Sequence, residues 1–340
     1  MTQSRASQIS LDDTPYYHCI CRCVRRAFLC GRDHYSGQDY EHRRQWVVDR
    51  LALLVQVFAV GLCAYAVMSN HYHLVLKIDR HRALSWSSEE VAERWMRPFS
   101  GHPLVTRWQA GVTDPAETLR ALEIIEGWRT RLFDLGWLMK CLNEYLARRA
   151  NAEDQCTGRF WESRYKSQAL LDEKSLLRCM AYVDLNPVRA GLAETPETSD
   201  YTSIQQRSTA LKQSRPEEGT TTPQLLPFVD EHTIEAEEED TVSRVRLLDY
   251  LELVDATGRV LIAGKRGAIS AEAAGVLERL NIDQRAWLRH MAPRQCRAPL
   301  ALGSLVRLQA FAASTGRRWV SGQRLPVRWD SNSGCLWFIK

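Results

Sequence analysis

Segments in which apolar residues alternate with polar or small ones predict strands in the first half of the chain. Four segments have this strand-like composition: Tyr16–Arg26, Leu62–Met68, His71–Ile78 and Arg159–Leu170. In the first segment Tyr17 and the alternate cysteines share one face and His18 lies on the other, because successive side chains of a strand alternate. The second and third segments are separated by Ser69 and Asn70, a pair typical of a hairpin turn.

Apolar residues recur at helical spacing between and after these strands. The predicted helices are Tyr40–Val60, Glu89–Met96, Glu117–Arg149 and Glu173–Leu185. The third contains Gly127 and Gly136, and either glycine could interrupt it. Asp172 precedes the fourth as an N-cap, and Pro187 is expected to end it, because the residue before a proline disfavours helical dihedrals.

The order strand–helix–strand–strand–helix–strand–helix predicts an α+β domain, in which an antiparallel sheet packs its helices mainly on one face. We expect the opposite face to be open and to carry His71 and His73. The sequence divides into a disordered lead-in (1–14), the α+β domain (15–192), a polar linker (193–241) and a mostly helical, basic C-terminal domain (242–340).

Composition places the chain among ordinary globular proteins, with 340 residues, 45% hydrophobic and 25% charged, and a net charge of +4. The start is polar, and no apolar run approaches the roughly 20 residues that span a bilayer, so we expect a cytoplasmic protein without membrane contact. The cysteines include no C-x-x-C pair, which argues against a structural zinc site. The small positive charge permits a polyanionic partner without requiring one.

His71 and His73 are the first candidates for chemistry. They are two residues apart on a predicted strand, so their side chains project from the same face. Two imidazoles held in this way can bind a divalent cation or a phosphate oxygen. The alternative is a pair of half-buried histidines with a structural role. His18 is better explained as a sheet histidine than as a ligand.

The fourth predicted helix provides the second candidate. Tyr182 and Asn186 are four residues apart and lie on one helix face. If that face meets the two histidines, a metal can polarise a phosphate oxygen while the phenol attacks phosphorus and forms a phosphotyrosine. Tyr165 is the main alternative nucleophile, because it lies on a strand that borders the same face. Asn186 could instead be an ordinary residue at the helix end.

These segments resemble a known family. The run Ser69–Val75 (SNHYHLV) resembles the His-hydrophobic-His core of the HUH single-tyrosine transposases, and Tyr182–Gly191 (YVDLNPVRAG) resembles the tyrosine-helix signature of their REP-associated branch. Tyr17–Arg26 and Gly158–Tyr165 are similar to the first and last sheet strands of that group. The resemblance covers about residues 15–192, in the family's order.

The resemblance implies a ferredoxin-like HUH fold and a DNA strand transferase, or transposase, that uses Mg²⁺ or Mn²⁺. Tyr182 would be the nucleophile. The metal ligands would be His71, His73 and Asn186, the last at a position where other members often carry glutamine. The substrate would be single-stranded or hairpin DNA, cleaved to a 5′-phosphotyrosine and a free 3′-OH. An insertion at about 80–130 and the long tail 193–340 depart from the compact members.

Basic and aromatic side chains near these segments are candidates for DNA contact, because affinity for nucleic acid rests largely on cation–phosphate contacts and stacking. The candidates are Arg22, Arg26, Arg159, Trp161, Arg164, Lys166 and Arg189. For any one of the cations, an ordinary solvated position is the alternative.

The sequence leaves the subunit arrangement open. In the wider family the tyrosine helix serves either its own or a partner subunit, so a homodimer is possible.

The sequence also leaves two functions besides strand transfer. One is a hairpin-binding module that uses the same face without cutting. The other is a metal-dependent phosphodiesterase that uses water, with Tyr182 only structural.

Overall fold

The structure is a computed structural model that describes residues 8–24, 29–33, 37–212, 221–229, 241–243, 245–262, 277–278, 282–291, 299–318 and 320. Arg26, a candidate for DNA contact, lies outside these residues. Within these ranges, no helix combines the length and the hydrophobicity that a bilayer crossing requires.

A five-stranded sheet lies at the centre of the protein. Its strands are β1 (Tyr16–Arg22), β2 (Val60–Val67), β3 (His71–Ile78), β4 (Lys166–Leu170) and β5 (Ala301–Leu302). They lie in the order β2-β3-β1-β4-β5. Neighbouring strands are antiparallel except β5, which adds parallel to β4. The mixed α/β character and the antiparallel pairing of the first four strands are as predicted.

The register of β1 and β3 determines which side chains share a face. Arg22 pairs with His71, and Ile20 pairs with His73. Directly paired residues project to the same side. His18, two residues before Ile20, therefore lies on the same face as the two histidines of β3.

Helices cover both faces of this sheet. Those described are α1 (Arg43–Val57), α2 (Arg80–Ser85), α3 (Ser88–Met96), α4 (Pro103–Gln109), α5 (Pro115–Leu132), α6 (Leu135–Glu153), α7 (Glu173–Asp184), α8 (Asn186–Arg189), α9 (Ser203–Lys212), α10 (Leu247–Ile262), α11 (Gln284–Met291) and α12 (Leu305–Ser314).

The first face packs against α1 and α6 and forms the larger core. Tyr17 and Cys19 of β1 and Tyr72 and Leu74 of β3 are buried there. The alternation in β1 predicted that Tyr17 and the cysteines share one face, opposite His18, and that arrangement is as found. Helices α2–α5, which make up the insertion, join the same core, where the indoles of Trp95 and Trp128 stack with centroids 5.5 Å apart.

The second face, which we expected to be open, is covered. α7 and α9 pack against β2, and α10 joins the same core. Small residues of β2, Ala64 and Ala66, let these helices approach closely. The expectation of helices mainly on one face is wrong here, because the covering helices come from later in the chain. Periodicity within a strand does not identify such distant partners.

Most predicted elements shift by a few residues at their ends, and two differ more. The long segment Glu117–Arg149 is two helices, because the chain turns after Leu132 and Asp134 caps α6 by accepting a hydrogen bond from the Trp137 backbone N–H at 2.7 Å. The last strand begins at Lys166 rather than Arg159.

The end of α7 also differs from expectation. Asp172 is its N-cap, as predicted, and accepts a hydrogen bond from the Ser175 backbone N–H at 2.8 Å. Pro187 does not end helical structure. It lies in the first turn of α8, where a proline's missing N–H is not needed by the helix.

Parts of the predicted lead-in and of the predicted linker contact the core. In the lead-in, the Thr14 hydroxyl donates to the Leu170 carbonyl at 2.6 Å. Within the predicted linker, α9 buries Ser203 and Arg207, and the Arg207 guanidinium donates to the Cys63 carbonyl at 2.9 Å. The domain boundaries at 193 and 242 stay predictions.

Arg43→Met is expected to lower the free energy of unfolding by about 3 kcal/mol, because breaking a buried ion pair is far costlier than losing an exposed one. Arg43 is fully buried and joins α1 to the end of α6 through Glu153, at 2.6 Å, and Asp154. Urea unfolding measures the effect. The control Arg120→Gln removes an exposed ion pair with Glu123, which should cost less than about 1 kcal/mol. Equal losses in the two variants would contradict this account of Arg43.

Candidate active site

Three imidazoles cluster on the second face of the sheet. Nε2 of His18 and Nδ1 of His73 are 2.9 Å apart and share a hydrogen bond, and the two rings stack with centroids 5.1 Å apart. The ring of His71 lies 4.9 Å from that of His73 at an angle of 70°. Nδ1 of His71 is 2.7 Å from the side-chain oxygen of Asn70. With the amide in this orientation, Nδ1 donates to that oxygen and Nε2 keeps its lone pair.

The two histidines of β3 are held in the neutral form. Burial lowers the pKa of His71 to about 4, and the nearby Arg22 cation contributes in the same direction. Burial also lowers the pKa of His73 well below its usual value, with further contributions from His18, His71 and Arg189. Neutral imidazole is the form that ligates a metal ion, so no deprotonation is needed near pH 7.

Tyr182 extends from α7 toward this cluster. Its ring centroid lies 6.1 Å from that of His73 and 6.4 Å from that of His18, in edge-on orientations. The opposite stripe of α7, including Leu177 and Met180, is buried against the sheet and fixes the helix in this orientation. Tyr182 itself is partly exposed.

Asn186 and Arg189 continue the face of α7 that carries Tyr182. Leu185 joins α7 to α8 with helical dihedrals, so the spacings of four and three residues keep the three side chains on one side. The guanidinium carbon of Arg189 lies 4.4 Å from the centroid of the Tyr182 ring. Asn186 is buried, and its Nδ2 has no hydrogen-bond partner among the described residues.

A buried carboxylate joins the tyrosine helix to the later helices. Asp184 accepts hydrogen bonds from the hydroxyls of Ser203 at 2.5 Å and Tyr250 at 2.6 Å, and from the Ile204 backbone N–H at 3.1 Å. Burial raises the pKa of Asp184 to about 6, and these hydrogen bonds oppose that rise. This network fixes the end of α7 against α9 and α10.

Tyr165, the alternative nucleophile, lies on the other side of the sheet. Lys166 pairs with Ile20 on the histidine face, so the preceding residue projects the other way. Tyr165 is buried in the first core. The structure therefore brings Tyr182 to the histidines and keeps Tyr165 away from them.

The candidates for DNA contact lie in different places. Arg22 and Lys166 are exposed on the histidine face. Arg159 and Arg164 are exposed in the segment before β4. Trp161 instead packs on the first face, 5.8 Å from the ring of Tyr72, and its Nε1–H donates to the backbone carbonyl of residue 143 at 2.9 Å. That position does not favour stacking on a base at the histidines.

The donor set partly fits a divalent cation. Among the described residues, no group of three or more His, Cys, Asp or Glu side chains is arranged to hold a metal ion. The Nδ1 atoms of His71 and His73 are occupied by hydrogen bonds, which leaves Nε2 as the ring nitrogen that can take a ligand in the tautomers protonated at Nδ1. Nδ2 of Asn186 is buried without a hydrogen-bond partner among the described residues, and a flip of the amide would place the oxygen there instead.

His18 is the residue of this cluster that the sequence undervalues. The alternation in β1 predicts on which face of the strand His18 lies. Its contact with His73 follows only from the pairing register of β1 and β3, which the sequence does not give. No sequence pattern indicates the buried role of Asp184 either, because its partners Ser203 and Tyr250 come from segments distant in sequence.

Neither protein-family models nor curated protein sequences include a match to this chain. One solved structure that matches is described as the REP-associated tyrosine transposase bound to a REP hairpin, with 10% sequence identity and a TM-score of 0.37. The alignment covers 62% of this chain and 86% of that chain. A TM-score this low does not establish a common fold.

Proposed function

We propose that this protein is a metal-dependent DNA strand transferase of the HUH single-tyrosine type, with Tyr182 as the nucleophile. His71 and His73 would hold Mg²⁺ or Mn²⁺, with the Asn186 amide oxygen as third ligand. The observation that supports this most is the 6.1 Å separation between the rings of Tyr182 and His73, which come from distant parts of the chain.

The topology is consistent with a ferredoxin-like HUH domain. The strand order β2-β3-β1-β4, with α1 between β1 and β2 and with α6 between β3 and β4, is the order of that fold. β5 and the helices on the second face are additions to this fold. Of these helices, α9 and α10 cover the sheet away from the histidines and support α7.

The proposed reaction exchanges one phosphodiester bond for another. The Tyr182 oxygen forms a bond to phosphorus as the bond from phosphorus to the 3′ oxygen breaks. The phenol proton is released, and the departing 3′ oxygen takes up a proton, so the products are a 5′-phosphotyrosine and a 3′-OH. A bound divalent cation supplies Lewis-acid polarisation of the phosphate. His18 holds the ring of His73 in one orientation through their hydrogen bond.

The proposed substrate is single-stranded or hairpin DNA. Arg22 and Lys166 are exposed beside the histidines and are suited to backbone phosphates. Because Tyr182 contacts histidines of its own chain, one subunit contains a complete set of the proposed catalytic residues. A homodimer is therefore not required for cleavage, although it stays a prediction as a partner.

The direct experiment incubates the full chain with a pool of labelled single-stranded oligonucleotides, each carrying a hairpin with randomised flanks. We expect a protein–DNA adduct that resists denaturing electrophoresis, forms with Mg²⁺ or Mn²⁺, and is lost on adding a chelator. The reason is that phosphodiester attack by a phenol depends on polarisation of the phosphate.

Two results would favour the other functions. Cleaved DNA with hydrolysed ends and no linked protein would indicate a phosphodiesterase that uses water. Tight hairpin binding that is unaffected by the chelator, with no cleavage, would indicate a binding module. Either result contradicts the strand transferase.

A further inference from the structure

Among the described residues, Arg189 is the arginine with two buried donor atoms that have no hydrogen-bond partner, whereas the other arginines with such a donor have one each. Arg43 is paired with two carboxylates, and Arg129 donates to Glu126 and to two backbone carbonyls. In Arg189 the Nε and Nη1 atoms are buried, and neither has a hydrogen-bond partner among the described residues. Its guanidinium carbon lies 4.4 Å from the centroid of the Tyr182 ring, and its charge adds to the effect of burial in lowering the pKa of His73.

Buried donor atoms without an acceptor are unfavourable. An acceptor is therefore expected to complete the site around Nε and Nη1 of Arg189. The two described neighbours of Arg189 carry no negative charge: one is the ring of Tyr182 and the other is the neutral imidazole of His73. An anion bound from solution would satisfy these donors.

The shape of the guanidinium narrows the class of anion. Its N–H groups lie in one plane and form a fork of donors, whatever the angle of that plane to the ring. That arrangement presents a planar fork of donors, which matches two oxygens of a phosphate group better than a single lone pair. A phosphate bound there lies beside the phenol.

We propose that Arg189 grips the reacting phosphate of the DNA and holds its phosphorus next to the Tyr182 hydroxyl. This rests on the proposed function. The guanidinium binds the two non-bridging oxygens, whose negative charge increases as the Tyr182 oxygen attacks. Its contact with the Tyr182 ring holds the nucleophile and the phosphate in fixed relative positions. Arg189 is thereby a catalytic residue, rather than one of several cations that hold the DNA backbone.

Single-turnover kinetics separate these two roles. At saturating hairpin oligonucleotide, Arg189→Gln should slow adduct formation by about 10²- to 10³-fold and weaken DNA binding by less than about 10-fold. Arg189→Lys should fall between Arg189→Gln and wild type, because lysine keeps the charge but not the planar fork. Arg22→Gln should mainly weaken binding, and Arg120→Gln on the distant α5 should change neither quantity.

The proposal is overturned if Arg189→Gln weakens binding while the saturating rate is unchanged, because that is the behaviour of a backbone contact. It is also overturned if Arg189→Lys matches wild type in both quantities. Thermal unfolding of each variant identifies misfolding. If Arg189→Gln does not fold, Arg189→Lys alone decides, since a slowed rate at intact binding supports the proposal and an unchanged rate refutes it.

A second measurement does not depend on strand transfer. Inorganic phosphate is added while the tyrosine-ring NMR signals are recorded, and the Tyr182 signal is identified by its loss in Tyr182→Phe. We expect phosphate to shift that signal in wild type and in Arg120→Gln but not in Arg189→Gln. An equal shift in Arg189→Gln refutes the phosphate site. An Arg189-dependent shift in a protein that forms no adduct supports the site while refuting the proposed function.

Discussion

Tyr182→Phe is expected to abolish the covalent protein–DNA adduct while leaving the fold and hairpin binding intact. The substitution removes one oxygen atom, and a phenyl ring cannot attack phosphorus. Loss of a nucleophile typically reduces the rate by at least about 10⁴-fold. The ring still packs against the core of the second face and the guanidinium of Arg189, so thermal stability should be close to that of wild type.

The matched control is Tyr165→Phe, which removes the hydroxyl of a tyrosine buried in the first core. It should keep full adduct yield. Denaturing electrophoresis of labelled oligonucleotide gives both yields in one experiment. Wild-type yield from Tyr182→Phe, or loss of the adduct from Tyr165→Phe instead, would refute the assignment of the nucleophile.

His73→Gln is expected to reduce affinity for Mn²⁺ by at least about 100-fold and to remove adduct formation at ordinary Mn²⁺ concentrations. His73 is the central imidazole: it contacts His18 through a 2.9 Å hydrogen bond and lies beside both His71 and Tyr182. Glutamine keeps a polar side chain at this buried position, so that loss of binding is not confused with unfolding.

Electron paramagnetic resonance of free Mn²⁺ measures the binding directly. His81→Ala, on the exposed surface of α2, should bind Mn²⁺ as wild type does. If His73→Gln binds the ion with wild-type affinity, His73 is not a ligand, and the cluster of imidazoles is structural.

Local sequence patterns predict the elements and the faces well. The alternation in β1 and β3 separates Tyr17 and Tyr72 from the histidines by face, as found. The Asp172 cap likewise needs only neighbouring residues. These features depend only on the spacing of residues a few positions apart, and that spacing can be read directly from the sequence.

Features that depend on distant segments are not predicted. The cover over the second face comes from α7, α9 and α10, and no short pattern links their apolar stripes to β2. The role of Asp184 depends on Ser203 and Tyr250 in the same way. The contact between His18 and His73 required the strand register, and the stack of Arg189 on Tyr182 required the helix to continue past Pro187.

Helices of the tail (193–340) hold α7 in place within its own chain. Because Asp184 is hydrogen-bonded to α9 and α10, the end of the tyrosine helix is fixed to its own subunit. Exchange of this helix between two subunits would break a buried carboxylate network, which is unfavourable. We therefore expect the tail to favour an active site completed within one chain.

The most direct measurement is mass spectrometry of the adduct formed with hairpin oligonucleotide and Mn²⁺, after digestion by a protease and a nuclease. The account predicts a nucleotide attached through its 5′ phosphate to the peptide that contains Tyr182. A nucleotide attached to any other residue, or cleaved DNA with no modified peptide, would contradict it.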